Sequence, residues 1–199
     1  MPVDNKNEAP LEYYRAHFLA ADPYELSKRS GVPYENGAFT LRLLSREVKL
    51  EYPSMKALYS DGTCASPATT ILLGRLVLEG TLSENAGRFM AYSEMPWGGV
   101  YNAQFTARCI KRIAKMYGSS PDELCTACER LGGVRISGAD AAFELEFLRG
   151  LYIRLYLWEG DDEFPASAQI LFSQSFAAAF TAEDIAVVGD VLIASLKNL

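Results

Sequence analysis

Four places in this 199-residue chain hold residue types whose spacing could support chemistry. Cys125-Thr126-Ala127-Cys128 is a C-x-x-C. Residues three apart on a helix share a face, so both thiols could hold one metal ion or form a redox couple. A structural zinc site uses a second ligand pair, and Cys64 and Cys109 are isolated in sequence. A thioredoxin-type couple places its first cysteine at a helix N-terminus after a strand, whereas Cys125 falls about one turn inside a helix. The alternative is two small apolar side chains facing a core.

The second place is Trp158-Glu159-Gly160-Asp161-Asp162-Glu163-Phe164-Pro165. Its carboxylates, Asp161, Asp162 and Glu163 foremost, could hold Ca²⁺ or Mg²⁺ through oxygen ligands, although the D-x-[DN]-x-[DN]-G pattern is missing. A solvated acidic turn between strands, anchored by Trp158 and Phe164, is the other reading. The third is Met95-Pro96-Trp97-Gly98-Gly99-Val100-Tyr101-Asn102. Gly98 and Gly99 permit close backbone approach, and a helix starting there offers N–H donors to an anionic group. Trp97, Gly98, Gly99 and Asn102, with Trp158, are therefore candidate ligand contacts. An ordinary strand-to-helix turn with Trp97 packed as a lid is the alternative.

The fourth is His17, the single histidine. Alone it builds no zincin helix, three-histidine zinc site or two-histidine facial triad, and no G-x-S-x-G elbow offers it a nucleophile. G-x-G-x-x-G and G-x-x-x-x-G-K-[ST] are both missing, and Leu131-Gly132-Gly133-Val134 follows a helix, where it reads as a stop. The net charge of −6 argues against non-specific binding to nucleic-acid phosphates. No run reaches the ~20 apolar residues of a membrane span, and Met1 to Pro10 is polar without a signal-like apolar core. With cysteines that need no oxidising compartment, the expected location is the cytoplasm.

The elements that must position these residues read as follows. A helix is expected over 11–20, after a polar tail at 1–10. Asp22-Pro23 opens a second helix, with Glu25 completing a capping box and Gly31 as its stop. Phe39–Leu44 and Glu47–Tyr52 form a hairpin turning at Ser45-Arg46. Pro67 to Thr81 is a buried helix, and Phe89–Met95 a strand ending at Pro96. Val100 to Tyr117 is amphipathic, with Phe105, Cys109, Ile113 and Met116 on its apolar stripe. Ser120-Pro121-Asp122-Glu123 opens a further helix with a second capping box. Ala141–Leu148 and Leu151–Trp158 pair around Arg149-Gly150, which would put Phe143, Leu145, Phe147, Tyr152, Arg154 and Tyr156 on one face. Ala168–Ser173 is a strand, and Thr181 caps a final helix to about Leu196. The expected fold is α+β, a single compact domain at 11–199 with mostly antiparallel sheet and packed helices.

Trp158-x-Gly160-Asp161-x-Glu163-Phe164-Pro165, Ile170-Leu171-Phe172 and Ala182-Glu183-Asp184 resemble the uncharacterised bacterial and archaeal proteins grouped as domain of unknown function 3786. The upstream order fits as well: Asp22-Pro23 after a Tyr-rich helix, the Cys109 helix, then Leu131-Gly132-Gly133. The resemblance implies no established activity and supplies no catalytic residues. Some relatives carry an additional iron–sulfur module, which implies anaerobic redox or corrinoid metabolism as a setting. This chain lacks four closely spaced cysteines, so a cluster does not carry over.

Two function classes follow. The first is a cytoplasmic accessory or binding domain for a cofactor or partner protein, suggested by the Trp97 loop and the lack of an assembled acid–base motif. The second is an enzyme using carboxylates, for instance Asp161 and Glu163 around a cation, since carboxylates serve as acid and base when burial separates their pKa values.

Overall fold

The computed structural model describes residues 8–83 and 86–197. Of the expected polar tail, residues 1–7 lie outside the described residues, and α1 (Glu8–Ala20) begins ahead of the expected start. Phe18 carries α1 into the core, its ring 5.6 Å from Phe39 and 5.7 Å from Tyr52. α2 (Pro23–Ser30) starts as its local chemistry requires. The Asp22 carboxylate accepts the Tyr24 and Glu25 N–H groups at 2.8 and 3.2 Å, and Gly31 takes the left-handed stop at φ 75.

The first sheet contains β1 (Tyr34–Glu35), β2 (Ala38–Leu43), β3 (Arg46–Glu51) and β4 (Lys56–Tyr59), antiparallel and in sequence order. The expected β2–β3 hairpin is present, but its turn sits one residue earlier: Leu43 pairs with Arg46, leaving Leu44-Ser45 as the corner. Leu44 takes φ 52, a conformation glycine or asparagine usually supplies. Its side chain is buried, and its N–H donates to the Phe147 carbonyl of the other sheet at 2.9 Å. Tertiary bonding therefore holds what local preference would not.

α3 (Pro67–Glu79) is capped by Ser66, which accepts the Thr69 N–H at 3.1 Å, and is buried on most sides. β5 (Phe89–Ala91) is shorter than the expected strand to Met95. The chain leaves the strand at Tyr92 because the Glu94 carboxylate takes the Ala91 N–H at 2.7 Å, closing a 3₁₀ turn over Tyr92–Glu94. α4 (Gly98–Phe105) and α5 (Lys111–Tyr117) form one rod through a π-helical turn at Thr106–Ile110. Phe105, Cys109 and Ile113 are buried along it, as the stripe requires. α6 (Pro121–Arg130) lacks the expected capping box. Ser120 sits at ψ 66, away from the extended backbone of the Asp22 and Ser66 caps, and its hydroxyl reaches no helix N–H.

The second sheet has the order β5-β9-β8-β7-β6, with β6 (Val134–Arg135), β7 (Ala141–Leu148), β8 (Leu151–Trp158) and β9 (Ser167–Ser173), all antiparallel. Arg149-Gly150 makes the expected two-residue turn, with Gly150 at φ 76. The expected shared face is overturned. Leu148 pairs with Leu151, but a bulge between Glu146 and Leu148 leaves Phe147 unpaired and shifts the register, so Phe143 faces Leu155 and Leu145 faces Ile153. One extra residue exchanges the faces of everything beyond it. Phe143, Leu145, Ile153 and Leu155 join the core, while Glu144 and Arg154 pair at 2.8 Å on the outer face.

α7 (Phe176–Ala179) and α8 (Ala182–Lys197) close the chain. The Asp184 carboxylate accepts the Thr181 N–H and hydroxyl at 3.0 and 2.7 Å, and Arg75 of α3 at 2.7 Å. One buried acid thus caps α8 and clamps it to α3. Both sheets and the helices share one apolar core, giving an α+β domain. Among the described residues, no helix is long and apolar enough to cross a membrane.

Candidate functional site

The loop from Tyr92 into α4 is built to display Trp97. Tyr92 is buried, stacked on Phe105 at 4.2 Å, and its hydroxyl donates to the Ala182 carbonyl at 2.9 Å. Met95 is buried as well, and its carbonyl accepts the Gly98 N–H at 2.8 Å. Between these anchors Trp97 takes φ 64 and is 80% exposed. A bulky side chain in the left-handed region costs on the order of 1–2 kcal/mol, which the anchored neighbours sustain. Val100, three residues on, is 71% exposed, so two apolar side chains stand in solvent at the head of α4 as a knob.

The paired glycines divide their work. A methyl on Gly98 would overlap the Tyr92 carbonyl, so its close approach serves the loop's own backbone. Gly99 has only ordinary contact, with the Ser93 carbonyl 3.8 Å from a methyl placed there. Asn102 is half-buried further along α4. Trp158 stacks on Tyr156 at 5.9 Å and 12°, and so belongs to the outer face of the second sheet rather than to this loop.

Cys125 and Cys128 lie on the buried side of α6, both as free thiols. Burial, with a contribution from Cys125, pushes the Cys128 thiol up to about 12. Cys109 is likewise pushed up to about 12, by burial first and Asp190 second. Thiols held neutral are poor nucleophiles and poor metal ligands.

The acidic segment folds back on its own backbone. Asp161 Oδ1 accepts the Glu163 and Phe164 N–H groups at 2.9 and 2.7 Å, while the Asp161 N–H donates to the Phe164 carbonyl at 2.9 Å. Those backbone donors, Phe164 first, lower the Asp161 pKa. Asp162 and Glu163 are exposed beside it. Among the described residues, no three His, Cys, Asp or Glu side chains gather where a metal ion could be held. His17 is exposed on α1, its Nδ1–H donating to the Tyr13 carbonyl at 2.8 Å.

A cleft of about 480 Å³ that spacing does not announce lies between the first sheet, α3 and α8, with Tyr59, Cys64, Ser66, Thr69 and Ser195 on its walls. Cys64 is an exposed thiol there, but the neighbouring carboxylates are committed. Asp61 pairs with Arg46 at 2.7 Å and accepts from Thr63, which lowers its pKa, while Asp190 pairs with Arg108. The cleft therefore offers hydroxyls and a thiol with no poised general base. Only the isolated Cys64 marked it in the sequence; the approach of α8 is a tertiary fact.

The model of a family described as Domain of unknown function (DUF3786) matches residues 22–195. No curated protein and no solved structure matches.

Proposed function

Since the chain belongs to the family described as Domain of unknown function (DUF3786), whose description assigns no activity, we propose a function from the site itself: a non-catalytic accessory domain of the cytoplasm that docks a partner protein through Trp97 and Val100. The observation that carries this reading is a tryptophan 80% exposed in a strained left-handed conformation between buried anchors. Tryptophan is enriched among the residues that dominate interface energy, and a pre-organised one loses little entropy on docking. The commitment of Asp161 to backbone donors, the burial of both C-x-x-C side chains and the raised pKa of Cys128 favour binding over a cation-dependent enzyme. The net charge of −6 favours a protein or small-molecule partner over nucleic acid. Anaerobic redox or corrinoid metabolism, the setting the family resemblance implies, is where the partner is to be sought.

The test is site-specific photo-crosslinking in cells of the source. A photoreactive phenylalanine at position 97 is expected to give one discrete adduct, lost when Val100 is changed to Glu. The same group at Tyr24, an aromatic on α2 that is 72% exposed, is expected to give none. No adduct at position 97, or the same adducts from position 24, would overturn the reading.

A further inference from the structure

The cleft between the first sheet, α3 and α8 is a cavity whose polar groups are nearly all satisfied within the protein. Its volume of about 480 Å³ falls in the range of about 300–1,000 Å³ typical of small-molecule sites. Its walls come from the β2–β3 corner, β4, the start of α3, the end of α6 and the last turns of α8. The lining is chiefly apolar, and Leu43, Leu44, Leu131 and Val191 are buried there.

Arg46 and Asp190, the charged groups on its walls, already have opposite partners. Arg46 pairs with Asp61 at 2.7 Å, and the Arg108 Nε–H donates to Asp190 at 3.0 Å. A charged ligand would have to displace one of these partners or give up its hydration unpaired, and either is costly. The wall hydroxyls are committed as well. Those of Ser66 and Thr69 bond each other at 2.9 Å, Ser195 donates to the Val191 carbonyl at 2.8 Å, and Thr63 donates to Asp61. Ser45 and Cys64 are exposed at the rim.

Tyr59 is the exception. It pairs across the sheet with Val48, which is fully buried, so its ring lies on the face turned towards the helices. The Arg46 guanidinium covers that ring, 3.5 Å from its centroid. The side chain is half-buried, and its hydroxyl has no hydrogen-bond partner among the described residues. Burial, the foremost influence, raises its pKa above the ordinary 10.0, so it stays a neutral O–H able to donate or accept.

We propose that this cleft binds a small neutral molecule with an apolar body and one hydrogen-bonding oxygen. The oxygen meets the Tyr59 hydroxyl, and the body lies over Leu43, Leu44, Leu131 and Val191. A single polar contact in an otherwise apolar lining orients such a ligand without asking it to carry charge. The site shares no residue with the Trp97 knob and does not depend on it.

The experiment titrates ¹⁵N-labelled full-length protein with 4-propylphenol at about pH 7, where a phenol is neutral, and follows amide chemical shifts. Saturable one-to-one binding is expected, with shifts centred on residues 43–46, 59–69, 131 and 190–195. 4-Propylbenzoate and 4-propylbenzylammonium keep the body and add a charge of either sign, and each is expected to bind about tenfold or more weaker. Tyr59→Phe is expected to weaken the phenol about three- to tenfold with unchanged thermal unfolding, because the lost hydroxyl has no partner among the described residues. Ala194→Trp, at an exposed wall position on α8, fills the cleft and is expected to abolish saturable binding, whereas Trp97→Ala leaves it unchanged. Shifts that do not saturate, shifts centred elsewhere, a charged analogue binding as tightly as the phenol, or full affinity in either cleft variant would overturn the proposal.

Discussion

At the scale of single residues, the Trp97 loop makes a paired prediction about its glycines. Gly98→Ala forces a methyl into the Tyr92 carbonyl, and we expect a loss of about 2–3 kcal/mol in denaturant unfolding. Gly99→Ala meets only ordinary contact in the first turn of α4 and is expected to be neutral or stabilising by about 0.5–1 kcal/mol. Equal effects from the two would show that backbone packing does not hold Trp97 in place. Trp97→Gly relieves a left-handed backbone at an exposed position, so it should leave stability unchanged or raise it by up to about 1 kcal/mol while removing the knob. The thiols make a second prediction at this scale. Cys64 is exposed and the other three cysteines are buried, so a thiol reagent at about neutral pH should modify one cysteine rapidly in the native protein and all four in denaturant. Two fast thiols would mean that the C-x-x-C is open to solvent and would return it to consideration as a redox couple.

At the scale of elements, what the sequence made legible was whatever short-range chemistry decides. Asp22-Pro23 with Gly31 bounded α2, and Arg149-Gly150 turned β7 into β8, because caps and tight turns are settled within a few residues. The outer face of β8 was misread because the bulge at Phe147 leaves alternation intact on either side of it. Leu44 was misplaced for a related reason: its left-handed corner is held by a bond to the other sheet. Deleting Phe147 would remove the bulge while leaving Leu145 opposite Ile153 and Phe143 opposite Leu155, so its cost is the loss of a buried ring and of the carbonyl that Leu44 uses. The deletion variant is expected to unfold cooperatively but to be less stable by about 3–5 kcal/mol in denaturant, and an unchanged midpoint would mean that Phe147 does not join the two sheets. The α3–α8 clamp gives a smaller effect. Arg75 is 17% exposed, Asp184 is 7% exposed, and Arg75 Nε has no partner among the described residues, so Asp184→Asn, which leaves the guanidinium only the exposed Glu79 carboxylate at 3.6 Å, should cost about 3 kcal/mol in denaturant unfolding.

At the scale of the whole molecule, two buried thiols and two buried phenols shift in one direction. Cys109 and Cys128 are raised from 9.0 to about 12, chiefly by burial, and burial also raises Tyr92 and Tyr117. The fold prefers the neutral form of each, so the thiols' contribution is complete below the ordinary thiol value and is lost as pH rises from about 9 towards 12. The denaturation midpoint should be flat near neutrality and fall in that window, less steeply in Cys128→Ala. A midpoint that stays flat to high pH would mean these groups are not sequestered. The α+β class was legible from the interleaving of helix and strand signals, whereas the joint between the two sheets was not, because Leu44 reaches the Phe147 carbonyl only through tertiary packing. The bond from Leu44 to Phe147 also carries a kinetic consequence. Each hairpin it joins closes over a short loop and can form early, but the joint itself must bring together residues separated by α3 through α6. Docking of two preformed hairpins is therefore expected to be the slow event of folding, with native alignment of the sheets arriving last.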